Sequence, residues 1–290
     1  MFEGVYTAIV TPFTRQGDVD VQRFKDLLEF QIGGGVDGVV PVGTTGESPT
    51  LDFDEHHRVV ELAVEACAGR IRVIAGTGGN STREAVELTQ HAKECGADGT
   101  LQVTPYYNKP SQAGLIRHFA TVADIGLPTV LYNIPGRCAI PIEVDTVAEL
   151  AQHPNIVAVK EAGQSVDRVS RLVRACDLEI LSGDDMLTLP MMIVGAVGVI
   201  SVASNIIPAE VVAMVRAGLS GDWETARTLH ARYHALFTDL FIEPSPAPVK
   251  TALAMMDKID ESVRAPLCEM GAVNRDRLAA TLRASGVIGQ

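Results

Sequence analysis

One lysine in this sequence stands where covalent chemistry could use it. Lys160 ends the apolar run 156–160, and because side chains alternate along a strand it shares a face with Ile156 and Ala158. On the interior face of a barrel, burial would lower the pKa of the amine from ~10.4 by up to ~3–5 pH units, which leaves a neutral nucleophile for a carbonyl carbon. The alternative is a lysine that extends to solvent or pairs with Glu161.

The remaining lysines are weaker candidates, because none of them ends a predicted strand. They fall on predicted helical faces, in a loop or in the C-terminal region: Lys25, Lys93, Lys258, Lys109 and Lys250. We therefore expect any amine chemistry to depend on Lys160.

Three of the five tyrosines follow predicted strands, as Lys160 does. Tyr106 and Tyr107 come after the fourth strand, and Tyr132 lies at the end of the fifth. A phenol near a Schiff base can shuttle protons, and Thr44 could relay them. Aromatic packing is the alternative for each tyrosine, but their coincidence with Lys160 favours a functional role.

Two features could bind an anionic substrate. The segment 43–47 combines glycines with threonines, so its backbone N–H groups could approach a carboxylate or a phosphate. Arg137 follows Gly136 in a loop and could bind a second carboxylate through its guanidinium group. Each feature also has a simpler explanation, namely a common Gly-Thr turn and a solvated arginine.

Metal binding is not expected from the histidines or the acidic pairs. The close histidine pairs, His56-His57 and His230/His234, belong to no HExxH motif. Asp184-Asp185 could bind a cation, but their position before a predicted helix favours a capping role. We therefore predict no metal and no cofactor.

The composition argues against several classes of partner. The chain has 290 residues, 47% of them apolar, and its formal net charge of −12 disfavours binding to nucleic acid or to anionic membranes. No uncharged apolar run reaches ~18 residues, so no membrane span is expected. The five scattered cysteines form no CxxC pair and the N-terminus lacks a secretion pattern, so we expect reduced thiols in the cytoplasm.

The elements that must position these residues alternate between strands and helices. Eight short β-branched runs have the composition of strands buried on both faces of a parallel sheet. They are 7–10, 38–42, 73–77, 100–104, 129–133, 156–160, 179–182 and 199–202. Helical periodicity between them predicts an α/β fold, a (β/α)₈ TIM barrel with a C-terminal helical extension. A doubly wound sheet would need a GxGxxG motif after the first strand, and the sequence has none there.

Two regions follow from this pattern. We predict a catalytic barrel over 1–220 and a C-terminal helical region over 221–290, with helices over 223–240, 248–257 and 274–285. These helices would pack on the barrel or on a second subunit. Ser81 and Glu84 have the spacing of a capping box for the helix after the third strand.

Taken together, the motifs resemble the dihydrodipicolinate synthase (4-hydroxy-tetrahydrodipicolinate synthase) family of pyruvate-dependent class I aldolases. The similarity spans about Gly4 to Ile288. The motifs that carry it are GTTGES at 43–48, VTPYYN at 103–108, YNIPGR at 132–137, KE at 160–161, SGDD at 182–185 and GVIS at 198–201. After Arg137 the family usually continues Thr-Gly, whereas this chain has Cys138-Ala139.

The resemblance implies a lyase reaction and a role for each matching residue. Lys160 would form a Schiff base with pyruvate, and the resulting enamine would attack L-aspartate 4-semialdehyde on the diaminopimelate route to lysine. Tyr132, Thr44 and Tyr107 would form a proton relay, with Tyr107 reaching across a tight dimer within a homotetramer, a dimer of dimers. The residues that would bind substrate are Thr44, Thr45, Arg137, Gly183 and Ile200.

The resemblance also implies an allosteric site for L-lysine at the tight dimer interface. The residues that match lysine-sensitive members are Ser48, His56, Asn80, Glu84 and Tyr106. Pro49 and Phe53 stand where those members usually have alanine and a histidine or tryptophan. Phe53 still offers an apolar wall for the lysine stem, but Pro49 could shift the loop, so we predict inhibition with weakened or altered affinity.

Three alternatives stay open on the sequence alone. The nearest is another pyruvate-dependent aldolase, such as N-acetylneuraminate lyase or a keto-deoxy sugar acid aldolase, although Arg137 and Tyr106-Tyr107 favour the semialdehyde enzyme. A second is a non-catalytic barrel that senses a small acid such as lysine. A third is a phosphate-binding barrel that uses the glycines of 76–79.

Overall fold

A computed structural model describes residues 1–289, and within them eight parallel strands close into a barrel in chain order. The strands are β1 Gly4–Thr7, β2 Gly38–Val39, β3 Arg72–Gly76, β4 Gly99–Val103, β5 Thr129–Asn133, β6 Ile156–Glu161, β7 Glu179–Ser182 and β8 Gly198–Ser201. The ring closes where β1 pairs with β8. The predicted (β/α)₈ barrel is confirmed.

Helices surround the barrel and extend beyond it. The helices are α1 Val21–Gly33, α2 Phe53–Cys67, α3 Thr82–Glu94, α4 Gln112–Ala123, α5 Pro135–Cys138, α6 Val144–Leu150, α7 Val166–Ala175, α8 Thr188–Ile193, α9 Pro208–Leu219, α10 Trp223–Asp239, α11 Ala247–Met255 and α12 Ala272–Ala284. The predicted C-terminal helices are present with bounds within two residues of those expected. α10 packs on α9 and α12, and α11 also packs on α12.

Most of the strands have apolar centres because both of their faces are covered. One face meets the helices and the other fills the barrel, and Val130, Leu131 and Val159 are accordingly fully buried. β2 is shorter than its apolar run. Pro41 has no N–H to donate to a neighbouring strand, and Val42 adopts a left-handed φ of 51° that turns the chain out of the sheet.

One local prediction is wrong. Ser81 stands at the N-cap of α3, but its side chain accepts no capping hydrogen bond, and the Glu84 side chain lines a surface cavity instead. A complete capping box is found at α2, where Asp52 accepts from the Glu55 N–H and the Glu55 side chain accepts from the Asp52 N–H. Spacing alone did not distinguish the two helix starts.

Within residues 1–289, no helix is both long enough and apolar enough to cross a bilayer. All five cysteines of the chain lie within these residues and are unpaired.

Candidate active site

Lys160 lies near the carboxyl end of β6 with its side chain inside the barrel. The residue is 6% exposed, and β-sheet register places it between Tyr132 on β5 and Leu181 on β7. Its Nζ lies 4.3 Å from the centre of the Tyr132 ring. A barrel collects the carboxyl ends of all its strands at one face, so this amine sits at the face where barrel enzymes place their chemistry.

Burial lowers the pKa of Lys160 to about 8, because desolvation disfavours the charged amine. The positive charge of Arg137 acts in the same direction, whereas the Asp185 carboxylate opposes it. A substantial share of the amine is therefore neutral near pH 7–8, and only the neutral form attacks a carbonyl.

The sequence pattern predicts that Asp184 and Asp185 both cap the following turn, but only Asp184 has this role. Asp184 caps it by accepting from the Met186 N–H, but Asp185 is buried and bonded to the end of β8. It accepts from Ser201 Oγ at 2.5 Å and from the backbone N–H groups of Val202 and Ala203. These bonds hold a carboxylate within electrostatic range of Lys160, where it partly compensates the buried ammonium.

Tyr132 is buried beside Lys160, and burial raises the pKa of its phenol to about 12. The positive charge of Arg137 and the nearby Thr44 side chain partly oppose that rise. The phenol therefore stays protonated at neutral pH. Together with Thr44 it offers a short chain of hydroxyl groups next to the amine, which is an arrangement that can move a proton.

The loop 43–48 closes on itself beside Tyr132. Glu47 N–H donates to the Thr44 carbonyl at 3.1 Å and Ser48 N–H donates to the Gly43 carbonyl at 3.2 Å. Thr45 is buried and Thr44 is half-buried. A cavity of about 30 Å³ lies between this loop and Tyr132, so a small group held by the loop would sit next to the phenol.

Gly46 sets the shape of this loop through its lack of a side chain. A Cβ at Gly46 would lie 2.9 Å from the Val42 nitrogen, closer than a real side chain tolerates. The Gly46 carbonyl also accepts from Thr11 Oγ1 at 2.7 Å. The glycine lets the loop pack directly on backbone, which brings its own backbone groups close to the site.

A larger cavity of about 290 Å³ opens just beyond the carboxyl ends of β5, β6 and β7, beside Gly183. Arg137 lines it from the short helix α5, not from a loop as its sequence position suggests. Its guanidinium is exposed, and one Nη donates to the Ser245 carbonyl at 3.4 Å. Gly183 lines it after β7, and a Cβ there would lie 2.7 Å from Ala162 Cβ and 3.0 Å from Lys160 Cε. A side chain at 183 would therefore displace the lysine.

Ile200 completes the surroundings from β8, where it is 1% exposed. The seven residues expected to react with or bind substrate thus all lie near or after the carboxyl end of a strand, at one face of the barrel. They are Lys160, Tyr132, Thr44, Thr45, Gly183, Ile200 and Arg137. Within residues 1–289, no three side chains of His, Cys, Asp or Glu come together in a group that could hold a metal ion.

Comparison with known proteins decides the family. The model of the dihydrodipicolinate synthetase family matches residues 1–285. The chain belongs to the dihydrodipicolinate synthetase family. Among curated relatives, the 4-hydroxy-tetrahydrodipicolinate synthase of Geobacter metallireducens is 51% identical, over 98% of each chain.

Solved structures of dihydrodipicolinate synthases superpose on the whole chain. The Acinetobacter baumannii enzyme, complexed with pyruvate, is 42% identical with a TM-score of 0.98, over 99% of this chain and 100% of that one. The Cyanidioschyzon merolae enzyme, with lysine bound, is 41% identical with a TM-score of 0.96, over 99% of each chain. Family members with this fold therefore accommodate both small molecules.

Against this family background, Tyr107 is the residue that the single chain does not bring to Lys160. The residue is 91% exposed, and its backbone adopts a left-handed φ of 74°. Tyr132 and Thr44 lie together without it. The relay predicted from the family resemblance is therefore incomplete in this chain.

The residues matched to lysine-sensitive members of the family mostly share one surface cavity of about 180 Å³. Those that line it are Ser48, His56, Glu84 and Tyr106, together with Pro49 and Phe53. Asn80 lies outside this lining, and its carbonyl accepts from the Asn108 side chain. Burial lowers the pKa of His56 to about 4, so this imidazole enters the cavity wall uncharged at neutral pH.

Lys250 is the residue that sequence reasoning ranked too low. Its position in the C-terminal region suggests a lysine remote from the site, but it is fully buried and pairs with Glu47 of the loop 43–48. A signal was present in the sequence. Lys250 interrupts the apolar stretch 247–253, and a lysine on an apolar helix face usually has a buried partner.

Proposed function

We propose that Lys160 condenses with pyruvate to form a Schiff base, and that the enamine derived from it adds to L-aspartate 4-semialdehyde. The activity is that of the family and of its full-length relatives, an aldolase-type lyase that acts as a 4-hydroxy-tetrahydrodipicolinate synthase in lysine biosynthesis. The observation that carries the proposal is a buried amine with a pKa of about 8 at the carboxyl end of a barrel strand.

The first steps follow from the groups around that amine. The neutral Lys160 nitrogen attacks the ketone carbon of pyruvate, and loss of water leaves the C=N bond. Removal of a proton from the methyl carbon then gives the enamine, whose carbon attacks the aldehyde. Tyr132 and Thr44 lie beside the amine and are the hydroxyl groups available to carry these protons.

The two substrates each bring a carboxylate, and the site offers two places for one. Thr44 and Thr45 would hold the carboxylate of pyruvate near Tyr132. Arg137 would hold that of the semialdehyde at the mouth, where its guanidinium is exposed in the larger cavity. Gly183 and Ile200 would shape the space around Lys160.

We also propose that the relay is completed by a second subunit. The exposed Tyr107 would reach across a tight dimer into the site of its partner, and two such dimers would form the homotetramer. The barrel 1–220 would carry the chemistry and 221–290 the supporting helices. The unpaired cysteines are consistent with a reducing compartment such as the cytoplasm.

Two assays test the function. Purified protein should form product from pyruvate plus L-aspartate 4-semialdehyde, and borohydride with pyruvate should leave a reduced adduct on Lys160, located by peptide mapping. Cleavage of sialic acid in place of the condensation would favour the N-acetylneuraminate lyase alternative. Absence of any pyruvyl adduct would favour a barrel that only senses a small acid.

Adduct formation should depend on pH in a predictable direction. Since burial lowers the pKa of Lys160 to about 8, the neutral fraction rises about tenfold per pH unit below that value and levels off above it. We expect the initial rate of adduct formation, trapped with cyanoborohydride and quantified by mass spectrometry, to follow this curve. A rate that keeps climbing to about pH 10, as for an ordinary amine, would contradict the assignment.

L-Lysine should inhibit the condensation by binding the cavity of Ser48, His56, Glu84 and Tyr106. Glu84 offers a carboxylate for an ammonium group, and Phe53 offers an apolar surface for the aliphatic stem. We expect weaker or altered inhibition relative to lysine-sensitive members because Pro49 borders the same cavity. Initial rates titrated with L-lysine, with D-lysine as the control ligand, measure it. An unchanged rate at millimolar L-lysine contradicts the proposal.

A further inference from the structure

A buried ion pair joins the C-terminal region to the loop 43–48. Lys250 of α11 has no exposed surface, and its Nζ lies 2.5 Å from Glu47 Oε1, itself fully buried. The same Nζ donates to the Ser262 carbonyl at 2.9 Å and lies 4.0 Å from the centre of the Phe13 ring. The ammonium group is therefore enclosed by one carboxylate, one carbonyl and one aromatic face.

Arg264 reinforces this connection from the segment that follows α11. Its backbone N–H donates to Glu47 Oε2 at 3.0 Å, so the second oxygen of that carboxylate is also occupied. Its guanidinium donates to the Thr50 carbonyl at 2.7 Å and pairs with Glu55 at 2.5 Å. Lys250 and Arg264 thus bind the loop at Glu47, two positions after Thr45.

Glu47 adopts a conformation that needs such fastening. Its φ of 56° is left-handed, which is unfavourable for a residue with a side chain and persists only when the surroundings impose it. That conformation lets Glu47 N–H bond back to the Thr44 carbonyl and close the turn. Glu47 therefore links its ion pair with Lys250 to the backbone geometry at Thr44.

Stability alone is a weak reason for burying these charges. Desolvating a lysine and a glutamate offsets most of what their attraction contributes, and apolar replacements of a buried pair are often neutral for stability. A charged pair nevertheless dictates one position for the loop, since any other placement would leave a buried charge unpaired.

We propose that Lys250 and Glu47 are positioning residues, through which the C-terminal region holds the loop 43–48 in the form that binds the carboxylate of pyruvate. This inference rests on the proposed function for the ligand, but the ordering of the loop is independent of it. Neither residue touches the reacting atoms. Both act through the backbone of Thr44 and Thr45.

The test compares Lys250→Met, the double variant Lys250→Met/Glu47→Gln, and the control Lys25→Met, which alters a half-buried lysine on α1. We expect Lys250→Met to speed amide hydrogen exchange in a peptide covering 43–50 while peptides of β5 and β6 stay as in the unaltered protein. The KM for pyruvate should rise about tenfold or more, with the KM for the aldehyde changing far less. Lys25→Met should change neither quantity.

The double variant removes both charges, so it should fold even where Lys250→Met does not, and thermal unfolding checks this. We expect it to keep the raised KM for pyruvate and the faster exchange. Recovery of both values in the double variant, or unchanged exchange in folded Lys250→Met, would overturn the proposal. Faster exchange combined with failure of the unaltered protein to trap pyruvate would instead refute the proposed function and leave the loop ordering intact.

Discussion

Lys160→Arg should abolish the condensation and the pyruvyl adduct together. Arginine keeps the positive charge but stays protonated and cannot form the Schiff base, so the covalent route is lost. We expect kcat to fall by at least about 10³-fold, because loss of a covalent nucleophile removes its whole pathway. Steady-state rates and borohydride trapping with pyruvate measure the two effects side by side.

Lys93→Arg is the matched control for this change. Lys93 lies exposed near the end of α3, where the chain leads into the start of β4 and not at the carboxyl ends of the strands that form the site. The Lys93→Arg variant should retain the normal rate and the adduct. Circular dichroism and thermal unfolding show whether each variant is folded. A folded Lys160→Arg protein that still traps pyruvate at another residue would refute the assignment of the nucleophile.

Tyr132→Phe should have the second largest effect. The change keeps the ring, whose centre lies 4.3 Å from Lys160 Nζ, but removes the hydroxyl group that lies near the Thr44 side chain. Because positioned proton transfer contributes typically about 10²–10⁴-fold, we expect kcat to drop by about 10²-fold or more. Pyruvate should still become attached to Lys160, but more slowly, since protons must then come from water.

Tyr233→Phe provides the comparison, since Tyr233 is also a buried tyrosine but lies on α10. It should cost little activity. If both phenylalanine variants lose activity to the same extent while remaining folded, the hydroxyl of Tyr132 has no special role. If Tyr132→Phe is as active as the unaltered protein, the proton relay proposed here is wrong.

The barrel was predictable because its signal is local. Strands buried on both faces favour apolar residues at their centres, and β5 and β7 were located with both bounds as observed. The interior position of Lys160 followed from the same alternation, since a strand leaves only two directions for a side chain. β2 was overextended because an apolar run does not show where Pro41 and Val42 turn the chain.

The grouping of the site was predictable for a topological reason. In a parallel barrel every strand ends at the same face, so Tyr132, Thr44 and Gly183 could be placed near Lys160 without knowing any distance. Tyr107 followed the same rule, yet it is exposed to solvent. Strand order places a loop at a face but does not determine the direction of its side chains.

By itself, the sequence determined the fold class, the amine and the hydroxyl groups that could serve it, because each depends on short-range patterns. Only the tertiary structure decided how burial and neighbouring charges shift the pKa values of those groups and hold them in position. Asp185 bonds to the end of β8, and Lys250 pairs with Glu47 across 203 positions of the chain. Burial and pairing of charges depend on which distant segments meet, and no local pattern contains that information.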